Sequence, residues 1–193
     1  MNYLNKSINN AIQLKKKLKK LDNQVNNFVN KIYSTILKNN KVFICGNGGS
    51  AADAQHLSAE FLVRLNPKIN RRPLPIIPLA LDTSTLTACG NDYNFDYIFS
   101  RTLDGLGTAD DLLFCISTSG NSKNIINVIK VAIKKKIDVI CFLGMGGGKV
   151  KKLFKKKINY LVIPSRDVAR IQECHIFLGH IIFNLVEKKI IKK

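Results

Sequence analysis

The sequence predicts an α/β fold: a doubly wound, five-stranded parallel sheet flanked by helices, with a long helical segment at its N-terminus. Two observations predict it. Short apolar runs rich in β-branched residues alternate with stretches of helical apolar spacing, the pattern of a parallel sheet covered on both faces. No repeat, linker or compositional shift interrupts the alternation, so 1–193 reads as a single domain, with an N-terminal helical segment over about 2–39 and an α/β core over about 41–193.

The elements follow in order. Residues 2–39 keep helical spacing without glycine or proline, as one long helix or two joined near Leu21-Asp22-Asn23. Strands are expected at "KVFICG" (41–46), "PIIPLAL" (75–81), "LLFCIS" (112–117), "IDVICFLG" (137–144) and "YLVIP" (160–164). Helices are expected near 50–64, 84–90, 95–105, 122–135 and 148–155, and a last one over 166–189, after Pro164 and Ser165. Ligands of such sheets sit beyond the carboxyl ends of the strands, which directs attention to the loops that follow them.

Composition narrows the class. The chain is 46% hydrophobic, which suits a globular protein. No apolar run approaches the roughly 20 residues that span a bilayer, and the N-terminus places polar and basic residues where a signal peptide needs an apolar block. A soluble cytoplasmic protein without a membrane partner is the expectation. Five cysteines without CxxC spacing fit neither a disulfide framework nor a zinc ribbon, and Cys45, Cys115 and Cys141 read as small buried hydrophobes within strands. Lys and Arg total 31 against 13 Asp and Glu, a net charge of +18. The excess lies in 15–20, 149–157 and 188–193 and reads as solvated surface in an Asn- and Ile-rich chain, so no nucleic-acid partner is expected. A positive surface still attracts anionic substrates.

Two post-strand loops carry the chemistry. Gly46-Asn47-Gly48-Gly49-Ser50 lacks both GxGxxG spacing and the Lys-Ser/Thr of a P-loop, which weakens a nucleotide reading. It leaves a small-residue turn whose backbone can approach a ligand, with Ser50 near a helix N-terminus; alone, it reads equally as a tight turn. The second loop, Ser117-Thr118-Ser119-Gly120-Asn121-Ser122, sets four hydroxyls at a strand-to-helix switch. One N-cap needs a single hydroxyl; four suit a phosphate monoester held by hydroxyls and helix-terminal N–H groups.

His56 and Glu60 stand at i and i+4 on one helical face behind the first loop, where they can share a metal, acid–base work or only an ion pair. The last helix carries Gln172, His175 and His180. Gln172 and His180 are about 12 Å apart along a helix axis and about 80° around it, so one metal reaches both only with extended side chains or across subunits. His175 reads as packing. Arg64, one turn beyond Glu60, is placed to pair with it or to meet the substrate.

"CGNGGSAADAQHLSAEF", "ACGNDYNFDYIFSR" (88–101), "ISTSGNSKNI" (116–125) and "RIQECHIFLGHII" (170–182), in this order, resemble the phosphoheptose isomerases of the sugar isomerase (SIS) family. The resemblance covers almost the whole chain; the hydroxyl loop alone would indicate only a SIS domain. It implies a flavodoxin-like SIS fold and conversion of sedoheptulose 7-phosphate to D-glycero-D-manno-heptose 7-phosphate through an enediolate, the first step toward ADP-heptose for lipopolysaccharide core. It also implies a cytoplasmic homotetramer whose active sites draw on neighbouring subunits. The family's zinc ligands fall on His56, Glu60, Gln172 and His180, implying one labile Zn2+ per subunit. Its substrate contacts fall on Asn47, Gly48, Gly49, Glu60, Asn91, Asp92, Ser117, Thr118, Ser119, Ser122 and Gln172, and Ser50 joins them as part of the first loop.

The mechanism the resemblance implies needs a base at C1, a role that suits Glu60, and a group that moves protons among O1, O2 and solvent, a role that suits His180. Coordination lowers a carboxylate's basicity, so a labile or monodentate contact reconciles the two roles of Glu60. The alternative is a non-catalytic SIS-family protein that binds the replication initiator; a sugar-phosphate-binding regulatory SIS module is a third reading. Neither needs the Glu60–His180 pair.

Overall fold

The computed structural model describes residues 2–80 and 82–192. Five strands, β1 (Val42–Gly46), β2 (Ile76–Pro78), β3 (Leu112–Ser117), β4 (Asp138–Leu143) and β5 (Asn159–Val162), form one all-parallel sheet in the order β2-β1-β3-β4-β5. All five expected strands are present. β2 is shorter than its apolar run because it is an edge strand with Pro78 in it, and proline cannot donate to a ladder. Leu81, at the end of the expected second strand, lies outside the described residues.

The strands are apolar on both faces because helices cover both. Alternate residues Val42, Ile44, Phe114, Ile116 and Phe142 join one core with helices α1 (Tyr3–Leu18), α2 (Asp22–Leu37), α3 (Gly49–Leu62) and α8 (Val168–Ile191). The other residues, among them Phe43, Cys45, Leu113, Cys115 and Cys141, join a second core under α4 (Thr83–Asp92), α5 (Ile98–Leu106), α6 (Lys123–Lys134) and α7 (Gly148–Phe154). Cys45, Cys115 and Cys141 are free, buried and in register on neighbouring strands. Burial pushes the Cys115 thiol well above its ordinary value, so it stays protonated and acts as a small apolar group.

The N-terminal segment takes the second of its two expected forms, two helices, joined by a 3-10 turn at Lys19–Leu21 that overlaps the expected joint only at Leu21. Asn2 caps α1, its side chain accepting from the Leu4 amide. α2 and α8 pack on each other and close the first core.

β1 and β3 are adjacent, yet the helices that follow them cover opposite faces: α3 joins the first core and α6 the second. This is the topological switch point of a doubly wound sheet, where a crevice opens beyond the strand ends. Both chemistry-bearing loops border it.

Candidate active site

The crevice has one loop on each side. After β1 the chain turns through Asn47 and Gly48 into α3, and after β3 it turns through Thr118–Asn121 into α6. A reciprocal amide pair joins the turns: Asn47 Nδ2 donates to Asn124 Oδ1 at 2.9 Å, and Asn124 Nδ2 donates to Asn47 Oδ1 at 2.8 Å. Asn124 is buried in the first turn of α6 and also accepts from the Ile125 amide. The sequence reading overlooked it. Its signal is a polar residue on the inner face of an otherwise apolar helix.

The hydroxyl loop is arranged as a donor cup. Ser117 Oγ accepts from the Gly120 amide and Ser119 Oγ from the Asn121 amide, each at 3.1 Å, which leaves both O–H protons free to donate. Ser122 is the N-cap residue of α6, but its side chain makes no capping bond. Its hydroxyl and the first two helix amides, of Lys123 and Asn124, therefore remain available to an anion, the Ile125 amide being held by Asn124 Oδ1. Thr118 is half-buried beside them. On the opposite loop Gly48 and Gly49 are exposed and Ser50 is buried, its amide already donating to the Asn47 carbonyl.

α3 and α8 lie side by side along a tight seam. A Cβ on Gly49 would overlap the Gln172 side-chain amide, so the absence of a side chain there lets Gln172 reach the first loop. Further along, a Cβ on Gly179 would stand 2.8 Å from Leu57 Cδ1; glycine lets α8 close onto α3. This approach brings His56 and His180 together, their Nε2 atoms 2.8 Å apart and their rings edge to face. Glu60 Oε1 lies 3.4 Å from His56 Nε2. Potential ligand atoms of His56, Glu60 and His180 all fall within 4.8 Å of one another. Two imidazole nitrogens and a carboxylate oxygen form a donor set suited to a catalytic zinc with an open position.

Gln172 belongs to the loop end of the same seam and His180 to its middle, so the sequence spacing of about two helical turns is preserved. Asn91 and Asp92 stand elsewhere. They end α4, which packs on α5 and the 3-10 turn at Phe95–Tyr97; both are exposed, and Asn91 Nδ2 donates to Asp92 Oδ1 at 2.9 Å. Asp92 lines a separate cleft of about 580 Å³ with Tyr93 and Arg101.

Of the two roles the sequence offered Arg64, pairing with Glu60 does not form. α3 ends at Leu62, so Arg64 lies beyond the helix and is exposed, while the Glu60 carboxylate faces His56. His175 packs, as its sequence reading held: it is fully buried, stacked on Phe142, and its Nε2–H donates to the Leu143 carbonyl at 3.2 Å. Burial lowers its pKa to about 4, with the carbonyl bond pulling the other way. Asp53, one turn before His56, is a buried acid that the sequence reading left unused. Burial raises its carboxyl to about 6, His56 acts in the opposite direction, and Oδ2 has no hydrogen-bond partner among the described residues.

Among known proteins, the SIS domain family model matches residues 6–144. The phosphoheptose isomerase of Sulfurimonas denitrificans is 42% identical over 191 residues, 97% of this chain and 95% of the relative. That of Campylobacter concisus is 51% identical over 157 residues, 81% of this chain and 80% of the relative. The solved phosphoheptose isomerase of Neisseria gonorrhoeae superposes with a TM-score of 0.88 at 37% identity, covering 96% of this chain and 97% of that one. That of Francisella tularensis superposes at 0.91 with 32% identity over 97% of this chain and 100% of that one. The chain belongs to the SIS-domain family and, within it, to the phosphoheptose isomerases.

Proposed function

We propose that this protein isomerises sedoheptulose 7-phosphate to D-glycero-D-manno-heptose 7-phosphate, supplying the heptose units of lipopolysaccharide core. The observation that carries this reading is the meeting of Glu60 with His56 and His180 on α3 and α8, in a fold whose α3 loop is bonded to a phosphate-suited hydroxyl loop through Asn47 and Asn124. The substrate phosphate sits among Ser117, Thr118, Ser119, Ser122 and the α6 N-terminus. The sugar lies between that cup and Asn47, Gly48, Gly49, Ser50 and Gln172. Glu60 removes a C1 proton, the electrons form C1=C2, and the C2 carbonyl becomes an enediolate. His180 gives a proton to O2 and takes one from O1, and Glu60 returns its proton to C2.

Zn2+ held by His56, Glu60 and His180, with Gln172 as the fourth ligand by resemblance, would act as a Lewis acid toward the carbonyl. Glu60 then serves as base only through a labile or single-oxygen contact.

The working unit in this reading is a cytoplasmic homotetramer. The site on one chain is open, with the His56 side chain 48% exposed, whereas small-molecule sites are concave. Asn91 and Asp92, exposed at the end of α4, are surface that a neighbouring copy could share with a substrate. Leu4, Ile8 and Ile12 form an exposed stripe at four-residue spacing along α1, apolar surface that assembly would cover. The test is 1H NMR of sedoheptulose 7-phosphate mixed with purified protein, with zinc and with a chelator. Conversion that the chelator abolishes and zinc restores supports the reading; a protein inert with zinc supplied overturns it.

A further inference from the structure

Arg71 lies in the segment between α3 and β2, outside every motif that suggested a function. Its side chain is 5% exposed and its guanidinium makes four directed bonds. Nε donates to Glu187 Oε1 at 2.7 Å, Nη2 to the Glu60 carbonyl at 2.9 Å, and Nη1 to the carbonyls of Phe61 and Arg72 at 2.9 and 3.0 Å. The ring of Phe61 lies beneath it, 5.5 Å from centroid to guanidinium carbon, and that ring meets Phe183 at 4.1 Å. Glu60 and Phe61 occupy the last turn of α3, whose carbonyls have no partner within the helix. Glu187 is 2% exposed and lies on α8, two turns beyond His180.

We propose that Arg71 is a positioning residue for the His56–Glu60–His180 cluster. One planar fork ties the end of the helix that carries His56 and Glu60 to the helix that carries His180. It thereby fixes the height of α3 against α8. A lysine cannot reproduce this, because an ammonium lacks the flat array of donors that serves a carboxylate and several carbonyls at once. Removing the guanidinium leaves Glu187 buried without a partner, so α8 must shift or hydrate locally. The α3–α8 seam then loosens around the cluster. This rests on the isomerase reading only for its kinetic consequence; the geometric consequence concerns the two imidazoles themselves.

The experiment compares wild type with Arg71→Lys, Arg71→Gln and Glu187→Gln. A matched core variant on the other face of the sheet, Ile129→Val, controls for a general loss of stability, and all measurements are made well below each Tm. Three readouts are taken: the ring-to-ring NOE between His56 and His180 in metal-free protein, zinc affinity by competition with a chromophoric chelator, and kcat and KM. All three seam variants are expected to lose the NOE and at least tenfold in zinc affinity. Their kcat should fall at least tenfold with KM within about threefold, while Ile129→Val keeps all three. Should Arg71→Gln fail to fold, Arg71→Lys and Glu187→Gln decide the matter. Seam variants that fold with the wild-type NOE and zinc affinity overturn the proposal. A wild type without turnover overturns the isomerase reading, and the NOE comparison still decides the role of Arg71.

Discussion

His56 and His180 meet with their Nε2 atoms 2.8 Å apart although 124 positions separate them. Neither helix explains this alone. Gly179 leaves room for Leu57, and the residues beside these two, His180 and His56, are carried into contact. A close helix–helix approach thus creates the cluster on which the catalytic proposal depends.

Gly179→Ala should therefore act on chemistry through packing. The added methyl would press on the fully buried Leu57, costing about 1–3 kcal/mol and moving α8 away from α3. Zinc affinity and kcat should fall together, and Leu57→Ala in the same chain should restore part of both. Chelator competition and steady-state kinetics on the single and double variants check this; Gly179→Ala with unchanged metal affinity would refute it.

The three histidines should separate cleanly on mutation. His180→Ala is expected to lower kcat by at least 10²-fold with little change in Tm, as removal of a proton-transfer group does. His175→Ala should instead lower stability, because it removes a buried ring stacked on Phe142, while leaving kcat per folded protein within a few-fold. Urea unfolding alongside the kinetics distinguishes the two.

Acid stability follows from two opposed groups in metal-free protein. His175 has a folded pKa of about 4 against an ordinary value of 6.5, so between these values the unfolded chain binds more protons and stability rises with pH. Asp53 has a folded pKa of about 6 against 3.8, so between those values the folded chain binds more protons and stability falls as pH rises. The two offset each other between about pH 4 and 6. Asp53→Asn should expose the His175 slope across that interval and stabilise the protein at pH 7 by about 1–3 kcal/mol. Urea midpoints from pH 4 to 7 measure this; an Asp53→Asn profile parallel to wild type would contradict it.

Asn124→Ala should release the first loop from the second. The substitution strips Asn47 of two hydrogen bonds, which costs about 1–3 kcal/mol. The crevice between the loops then loses its fixed width. KM for the sugar phosphate should rise about tenfold or more, with kcat changed less, in contrast to the Arg71 variants. A variant in which only kcat falls would place Asn124 elsewhere in the mechanism.

Much of this was legible in the sequence, and the exceptions share a cause. The strands were visible because a sheet buried on both faces needs uninterrupted apolar runs. The N-terminal helical segment was visible in its apolar spacing, but whether it is one helix or two was not, and the 3-10 turn at Lys19–Leu21 decides for two. His56 with Glu60, and Gln172 with His180, were visible as spacings within single helices. Arg64 was misplaced because nothing in its local pattern marks the end of α3 at Leu62. Arg71 and Glu187, 116 positions apart, and Asn47 and Asn124, 77 apart, were not legible as pairs. Each partner is polar and acquires its role only when two helices or two loops come together.

In the proposed mechanism Glu60 takes the substrate's C1 proton. The most direct measurement follows sedoheptulose 7-phosphate by NMR with wild type and Glu60→Gln, zinc supplied to both, with circular dichroism and sedimentation confirming equal folding and assembly. The expected result is conversion by wild type and a loss of at least 10³-fold in Glu60→Gln, whose amide is isosteric but cannot accept the proton. Retained turnover in Glu60→Gln would contradict the assignment.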